Sequence, residues 1–226
     1  MKCVRFFCSW SGGKDSSLAL YHAVREGGVL SALVTTLTED GTRTRSHGLP
    51  VRLIKAQAEA LGVPVITRPT SWNDYTRAFI SILEALKENG IEAGVFGDID
   101  LEAHRDWIET TCLSVGIQPC LPLWKKPRHA LLHELNGLGF KALIVAVKDG
   151  TLPKSFLGRE LNRETCAALG YQRVDIMGEQ GEFHTVVLDG PIFSYPLSIE
   201  VKGQYFHDGY WFLDVDVLEK GGGSLP

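Results

Sequence analysis

Apolar positions along the chain fall alternately into short runs and longer stripes. Val4–Ser9 is a short apolar run, which predicts a buried strand. Ser16–Glu26 reads as a helix stopped by Gly27-Gly28. Leu30–Thr36, rich in β-branched residues, predicts a second strand. Val51–Leu61 is a helix ended by Gly62, and Val63–Thr67 is a third strand. Asn73–Asn89 is a long amphipathic helix: Phe79, Ile82, Leu83 and Leu86 share one face and Gly90 is its stop. Ala93–Gly97 predicts a fourth strand, and Leu101–Val115 the helix after it. Ala130–Leu138 and Lys141–Val147 form one more helix–strand step. Such alternation predicts an α/β fold, a doubly wound parallel sheet with helices on both faces. Ligands of such sheets sit beyond the carboxyl ends of the strands.

The pattern changes after about residue 150. Phe156–Leu169 still has helical character. From Val186 the chain alternates as strands do, through Leu197, Ile199 and Val201 and then Trp211, Leu213, Val215 and Val217. His207-Asp208-Gly209 supplies a turn between those two stretches. The expected organisation is a doubly wound domain over 1–150, a smaller α+β region with a β-hairpin over 151–220, and a flexible tail over 221–226.

Composition narrows this little. The 226 residues, 44% hydrophobic and 22% charged, suit an ordinary globular chain with a sizeable core. A net charge of -4 argues against a strongly basic nucleic-acid surface, though not against a local basic patch. The five cysteines are odd in number, irregularly spaced and without a CxxC pair. They read as reduced thiols of a cytoplasmic protein, with no zinc site and no signal segment. No apolar run is long enough for a membrane span.

The chemistry concentrates in Ser9-Trp10-Ser11-Gly12-Gly13-Lys14-Asp15-Ser16-Ser17, between a predicted strand and a predicted helix. Gly12 and Gly13 allow a tight turn and close approach of backbone to ligand. The free N–H groups of the helix start point at an anion, Ser11, Ser16 and Ser17 add hydroxyls, and Lys14 adds positive charge. It is not a Walker A loop, because Asp15 follows Lys14 and Cys8 stands where the first glycine would be. The bland alternative is a capped helix after a Gly-rich turn.

The string resembles the PP-loop of the N-type ATP pyrophosphatases. Further segments extend the likeness: Arg45-Ser46-His47-Gly48, Phe96-Gly97-Asp98, His104-Arg105-Asp106-Trp107, Pro122-Leu123-Trp124, Phe156-Leu157-Gly158-Arg159 and Gly178–Thr185. Their order resembles the diphthine–ammonia ligase family, in its bacterial branch, from about residue 4 to residue 193. The resemblance implies an adenine-nucleotide α-hydrolase type of fold. It also implies ATP with Mg²⁺, cleavage to AMP and pyrophosphate, and amidation of an adenylated carboxylate by ammonia. In that family the acceptor is diphthine on elongation factor 2. Two positions depart from the family's Glu-Gly-Gly-Glu-Phe/Tyr-Glu-Thr: Gln180 replaces a glycine and His184 a glutamate.

Site expectations follow from the loop and the likeness together. Ser11, Gly12, Gly13, Lys14, Asp15, Ser16, Thr35, His47 and Gly97 are expected around the nucleotide, with Asp15 and Asp98 on Mg²⁺. Lys14, Asp15, Asp98, Glu182 and His184 form the expected catalytic set, and Arg105, Arg159, Glu179, Gly181 and Glu182 the expected substrate contacts. The acceptor carboxylate belongs to a small molecule or a protein; a homodimer is left open. Competing readings are a PP-loop enzyme acting on another bacterial small molecule or tRNA, and an ATP-binding regulatory module without turnover.

Overall fold

A computed structural model describes residues 3–218. The expected tail at 221–226 lies outside the described residues. Five parallel strands form the first sheet: β1 (Arg5–Ser9), β2 (Val29–Leu37), β3 (Val65–Pro69), β4 (Ala93–Val95) and β5 (Gln118–Cys120), in the order β3-β2-β1-β4-β5. The connecting helices are α1 (Lys14–Arg25), α2 (Val51–Leu61), α3 (Tyr75–Glu88) and α4 (Glu102–Ser114). This is the doubly wound α/β sheet that the alternation predicts.

Successive side chains of a strand point to opposite faces, and β1 uses both. Phe6 and Cys8 enter one core with Leu18 of α1 and Leu53 of α2. Phe7 enters a second core with Phe79 and Leu83 of α3 and Ile108 of α4. The α3 stripe at Phe79, Ile82, Leu83 and Leu86 is buried as its spacing predicts.

A second, antiparallel sheet follows, made of β6 (Lys141–Lys148), β7 (Phe183–Asp189), β8 (Ile199–His207) and β9 (Tyr210–Val217), in the order β7-β6-β9-β8. Here β6 departs from expectation. Predicted as a further step of the parallel sheet, it pairs antiparallel with β7 and β9. A central strand buried on both faces reads the same in either kind of sheet, so its apolar run carries no direction. The expected helix over Phe156–Leu169 also breaks up. Lys154–Phe156 is a single 3₁₀ turn, Gly158 sits at φ 81°, and α6 (Arg163–Tyr171) starts only after Asn162 caps it by accepting from Thr165 N–H at 3.0 Å. The hairpin is as predicted: β8 and β9 pair through a turn at Asp208-Gly209.

The two sheets share one core. Phe183 and Val187 of β7 lie in the same cluster as Phe6, Leu18 and Leu33. That shared core sets β7 beside the amino end of α1. Helix α5 (Arg128–Gly137) precedes β6. No helix among the described residues is long and apolar enough to cross a membrane.

Candidate functional site

The loop between β1 and α1 turns at Gly12, in the left-handed region at φ 80°. A Cβ there would lie 2.8 Å from Gln57 Oε1 and 2.9 Å from a Leu49 methyl carbon, so both the angle and the space demand glycine. Gly13 caps α1 in extended conformation, and a Cβ on it would meet His47 at 2.5 Å. Gly97, after β4, lets the chain pass the first turn of α1, since its Cβ would meet the Asp15 carbonyl carbon at 2.7 Å.

Beyond this loop opens a cavity of about 590 Å³. Ser11, Lys14, Asp15, Ser16, Gly97 and Asp98 face it from the parallel sheet, and His47 from the β2–α2 loop. Glu179, Gly181 and His184 face it from the other side. These are residues expected of the nucleotide and acceptor sites, brought to one edge by the two sheets.

Lys14 is almost wholly buried and pairs with Asp15 at 2.7 Å. Burial pushes the Asp15 carboxyl above its ordinary range, against the pull of Lys14, and Asp98 adds to the rise. The second Asp15 oxygen, Oδ1, is buried and has no hydrogen-bond partner among the described residues. An orphaned carboxylate oxygen beside Asp98 is a donor set that suits a hard cation. Among the described residues no group of three metal-binding side chains is preassembled. The Asp98 carboxylate also pairs with His104 at 3.0 Å, which raises that imidazole's pKa.

Two imidazoles, His47 and His184, lie with ring centroids 4.7 Å apart. His47 Nδ1 is 2.7 Å from the Thr185 carbonyl. A carbonyl only accepts, so Nδ1 carries the proton and Nε2 keeps a lone pair. Removal from water holds the His47 pKa down to about 4 and that of His184 well below its usual value. Both rings are therefore neutral at neutral pH. Glu179 is pushed the other way, to about 8, first by burial and then by the nearby Asp15 and Asp98 carboxylates.

The segment before β7 is shaped by carboxylates that do not face the cavity. Glu182, only 8% exposed, accepts from Asp175 N–H at 3.2 Å and Gln180 N–H at 3.0 Å. Asp175 accepts from the N–H groups of Met177 and Glu179 and pairs with Arg128 of α5 at 2.8 Å. Arg128 also grips Asp100 bidentately. Glu182 is thus placed as a loop-holding group and not at the cavity wall.

Other expected contacts lie elsewhere. Arg105 binds Glu109 one turn along α4, 2.6 Å away, and covers the Trp124 ring. Arg159 donates to the Ser155 carbonyl and covers Phe156. Thr35 is buried, its hydroxyl bonded to the Trp10 carbonyl at 2.7 Å, and lines a smaller hollow of about 130 Å³ beside His47, Tyr75 and Phe79. Three features went unread in the sequence: Gln57 behind the loop, Asp175 with Arg128, and Tyr210, which donates to the Gly181 carbonyl at 2.8 Å. Only Gln57 left a trace there, as a polar residue on the apolar stripe of α2 beside Leu53 and Ile54.

A parallel sheet with a Gly-Gly-Lys-Asp-Ser turn at the carboxyl end of β1 defines a nucleotide-binding domain of the PP-loop kind. Residues 4–119 match the diphthamide synthase N-terminal domain and residues 127–220 the diphthamide synthase C-terminal domain. The chain belongs to the diphthamide synthase family. Among curated proteins it is similar to the diphthine–ammonia ligase of Rattus norvegicus, 27% identical over 94% of this chain and 89% of that one. It is also similar to the human diphthine–ammonia ligase, at 24% identity over 92% and 87%. Among solved structures, a predicted subunit of tRNA methyltransferase from Methanocaldococcus jannaschii aligns with a TM-score of 0.46 and 20% identity, over 83% of this chain and 98% of that one.

Proposed function

We propose that this chain is an ATP-dependent ligase that amidates a carboxylate with ammonia, the acceptor being diphthine carried on a protein. The family and the name borne by its relatives support the reaction class. The observation that carries the reading is the single cavity in which the β1–α1 loop faces the Gly178–His184 segment. One wall suits phosphates and the other suits an acceptor and an amine.

In this reading the β- and γ-phosphates lie on the loop at Ser11–Ser16, and the nucleoside extends toward the hollow at Thr35, Tyr75 and Phe79. An acceptor carboxylate oxygen attacks the α-phosphorus, and the α,β-bridging bond breaks to release pyrophosphate. Lys14, at the helix start, stabilises the charge that grows on the leaving group. Asp15 and Asp98 would hold Mg²⁺, which when bound neutralises phosphate charge. Ammonia then attacks the acyl carbon and AMP leaves. Glu179, whose pKa is raised to about 8, takes in its ionised form the proton that the amine sheds after it attacks. Neutral His184 offers the incoming amine a hydrogen-bond acceptor, a role that a neutral imidazole fills without charge.

A second cleft, of about 700 Å³, adjoins this cavity and shares Ser46, His184 and Tyr210 with it. It runs between the β2–α2 loop and the β8–β9 turn at His207-Asp208. A side chain presented by a protein surface can reach the reacting centre through it. The test is incubation with ATP, ammonium and elongation factor 2 bearing diphthine, followed by mass analysis of the modified peptide. Conversion of the carboxylate to the amide supports the reading. An unchanged peptide, with ATP consumed on another acceptor in cell extract, would move the chemistry to a different substrate.

A further inference from the structure

Among the described residues β7 is an edge strand, bonded in its sheet to β6 alone. Its outward backbone groups therefore need partners elsewhere, and they find them on the phosphate loop and the β2–α2 region. The Thr185 carbonyl meets His47 Nδ1 at 2.7 Å, and Val187 N–H donates to the Gly12 carbonyl at 2.9 Å. The Val187 carbonyl accepts from Gln57 Nε2 at 2.7 Å.

Gln57 is fully buried on α2, and every polar atom of its amide is engaged. Nε2 donates to the Gly12 carbonyl at 3.0 Å as well as to Val187, and Oε1 accepts from Trp10 Nε1 at 2.9 Å. It does not line the cavity. Its target is the peptide between two glycines, the unit of the loop with the least intrinsic preference between its two orientations. The Gly12 carbonyl, held by Val187 N–H and Gln57 Nε2 together, points inward. The plane of that peptide then turns the Gly13 N–H the opposite way, where it donates at 3.3 Å to the hydroxyl of Ser11, a residue of the cavity wall.

We propose that Gln57 is a positioning residue: by gripping the Gly12 carbonyl from α2 while bound to β7, it holds the Gly12–Gly13 peptide with its N–H aimed at the phosphates. The pyrophosphate affinity of the loop thus depends on the second sheet. This rests on the reading of Ser11–Ser16 as the phosphate site.

The experiment titrates Mg²⁺-pyrophosphate, ATP and adenosine into the wild-type protein and into Gln57→Met, which keeps the length and removes the hydrogen bonds. The expected result is pyrophosphate and ATP binding weakened about ten-fold or more, the loss of about one buried hydrogen bond. Adenosine, whose hollow at Thr35, Tyr75 and Phe79 touches the loop at Ser11 but not at Gly12 or Gly13, binds as before. A folded Gln57→Met that binds pyrophosphate like the wild type overturns the proposal, and so does an equal loss for adenosine, which marks a general structural role. Gln57→Glu keeps the test open should the methionine variant not fold. Its carboxylate still accepts from Trp10 but opposes two carbonyls, and on protonation it regains one donor. Pyrophosphate affinity relative to wild type should therefore recover as the pH falls; a ratio that stays flat with pH contradicts the assignment. A wild-type protein that binds neither pyrophosphate nor ATP would instead sink the phosphate-site reading itself.

Discussion

The loop at Ser11–Ser16 and the loop at Asp175–Glu182 face one cavity but are built by opposite means. In the first, glycines make the turn and serine hydroxyls brace it, Ser16 and Ser17 donating to the Gly13 carbonyl, while Lys14 and Asp15 line the cavity and one Asp15 oxygen has no hydrogen-bond partner among the described residues. In the second, carboxylates make the shape. Glu182 and Asp175 close the turn on backbone N–H groups, and Glu179 is the acid left to face the cavity. Carboxylates three residues apart in one segment therefore have different work, and their spacing does not say which is which.

The largest effect expected from this contrast is at Lys14. Lys14→Ala removes a cation from the loop whose shape glycine sets, so turnover should fall by about 100-fold or more, and because Asp15 loses its buried partner the melting temperature should fall as well. Steady-state rates beside thermal unfolding check this; a folded variant with wild-type rates breaks the account of the first loop.

Glu179 and Glu182 sharpen the comparison directly. Glu179→Gln should cut turnover about ten-fold or more with stability nearly unchanged. Glu182→Gln turns one acceptor into a donor against backbone N–H, so it should lower stability by about 1–3 kcal/mol. ATP affinity should hold in the still-folded fraction. Denaturant melts and rates measured on both variants decide it, and the reverse assignment of the two effects would overturn the contrast.

A smaller effect concerns the paired imidazoles. The folded state keeps His47 neutral down to about pH 4, below its ordinary value of 6.5. The unfolded chain takes up that proton at higher pH, so stability should hold above about pH 6.5 and decline as the pH falls toward 4. His47→Gln should flatten this acid limb in melts taken across that range. An unchanged limb would mean that the ring titrates freely. Least affected should be Arg105→Ala and Arg159→Ala, whose guanidinium groups hydrogen-bond within their own segments and do not line the cavity. Rates within about two-fold of wild type are expected, as for surface substitutions away from special features.

How much of this the sequence discloses varies in the same way between the loops. The strand, the Gly-Gly turn and α1 are contiguous, so the phosphate loop is legible as one string. The helix α3 is legible because its stripe repeats over several turns. By contrast β5 is three residues with Pro119 at its centre, too short for any period. The direction of β6 is set by partners 36 to 66 residues onward, and an apolar run does not record them. Separation along the chain also hides the site's second half: Asp175 needs Arg128, and Gly12 needs Gln57 and, across the two sheets, Val187. The likeness to the diphthine–ammonia ligases brought Gly178–Thr185 to attention, yet not the separate duties of its two glutamates.

The central claim is that the Ser11–Ser16 loop grips the β- and γ-phosphates while the α-phosphorus is attacked. Nucleotide analysis by phosphorus NMR during turnover with diphthine-bearing elongation factor 2 and ammonium tests it most directly. AMP and pyrophosphate should form in step with the amide; ADP and inorganic phosphate as the stoichiometric products would contradict it.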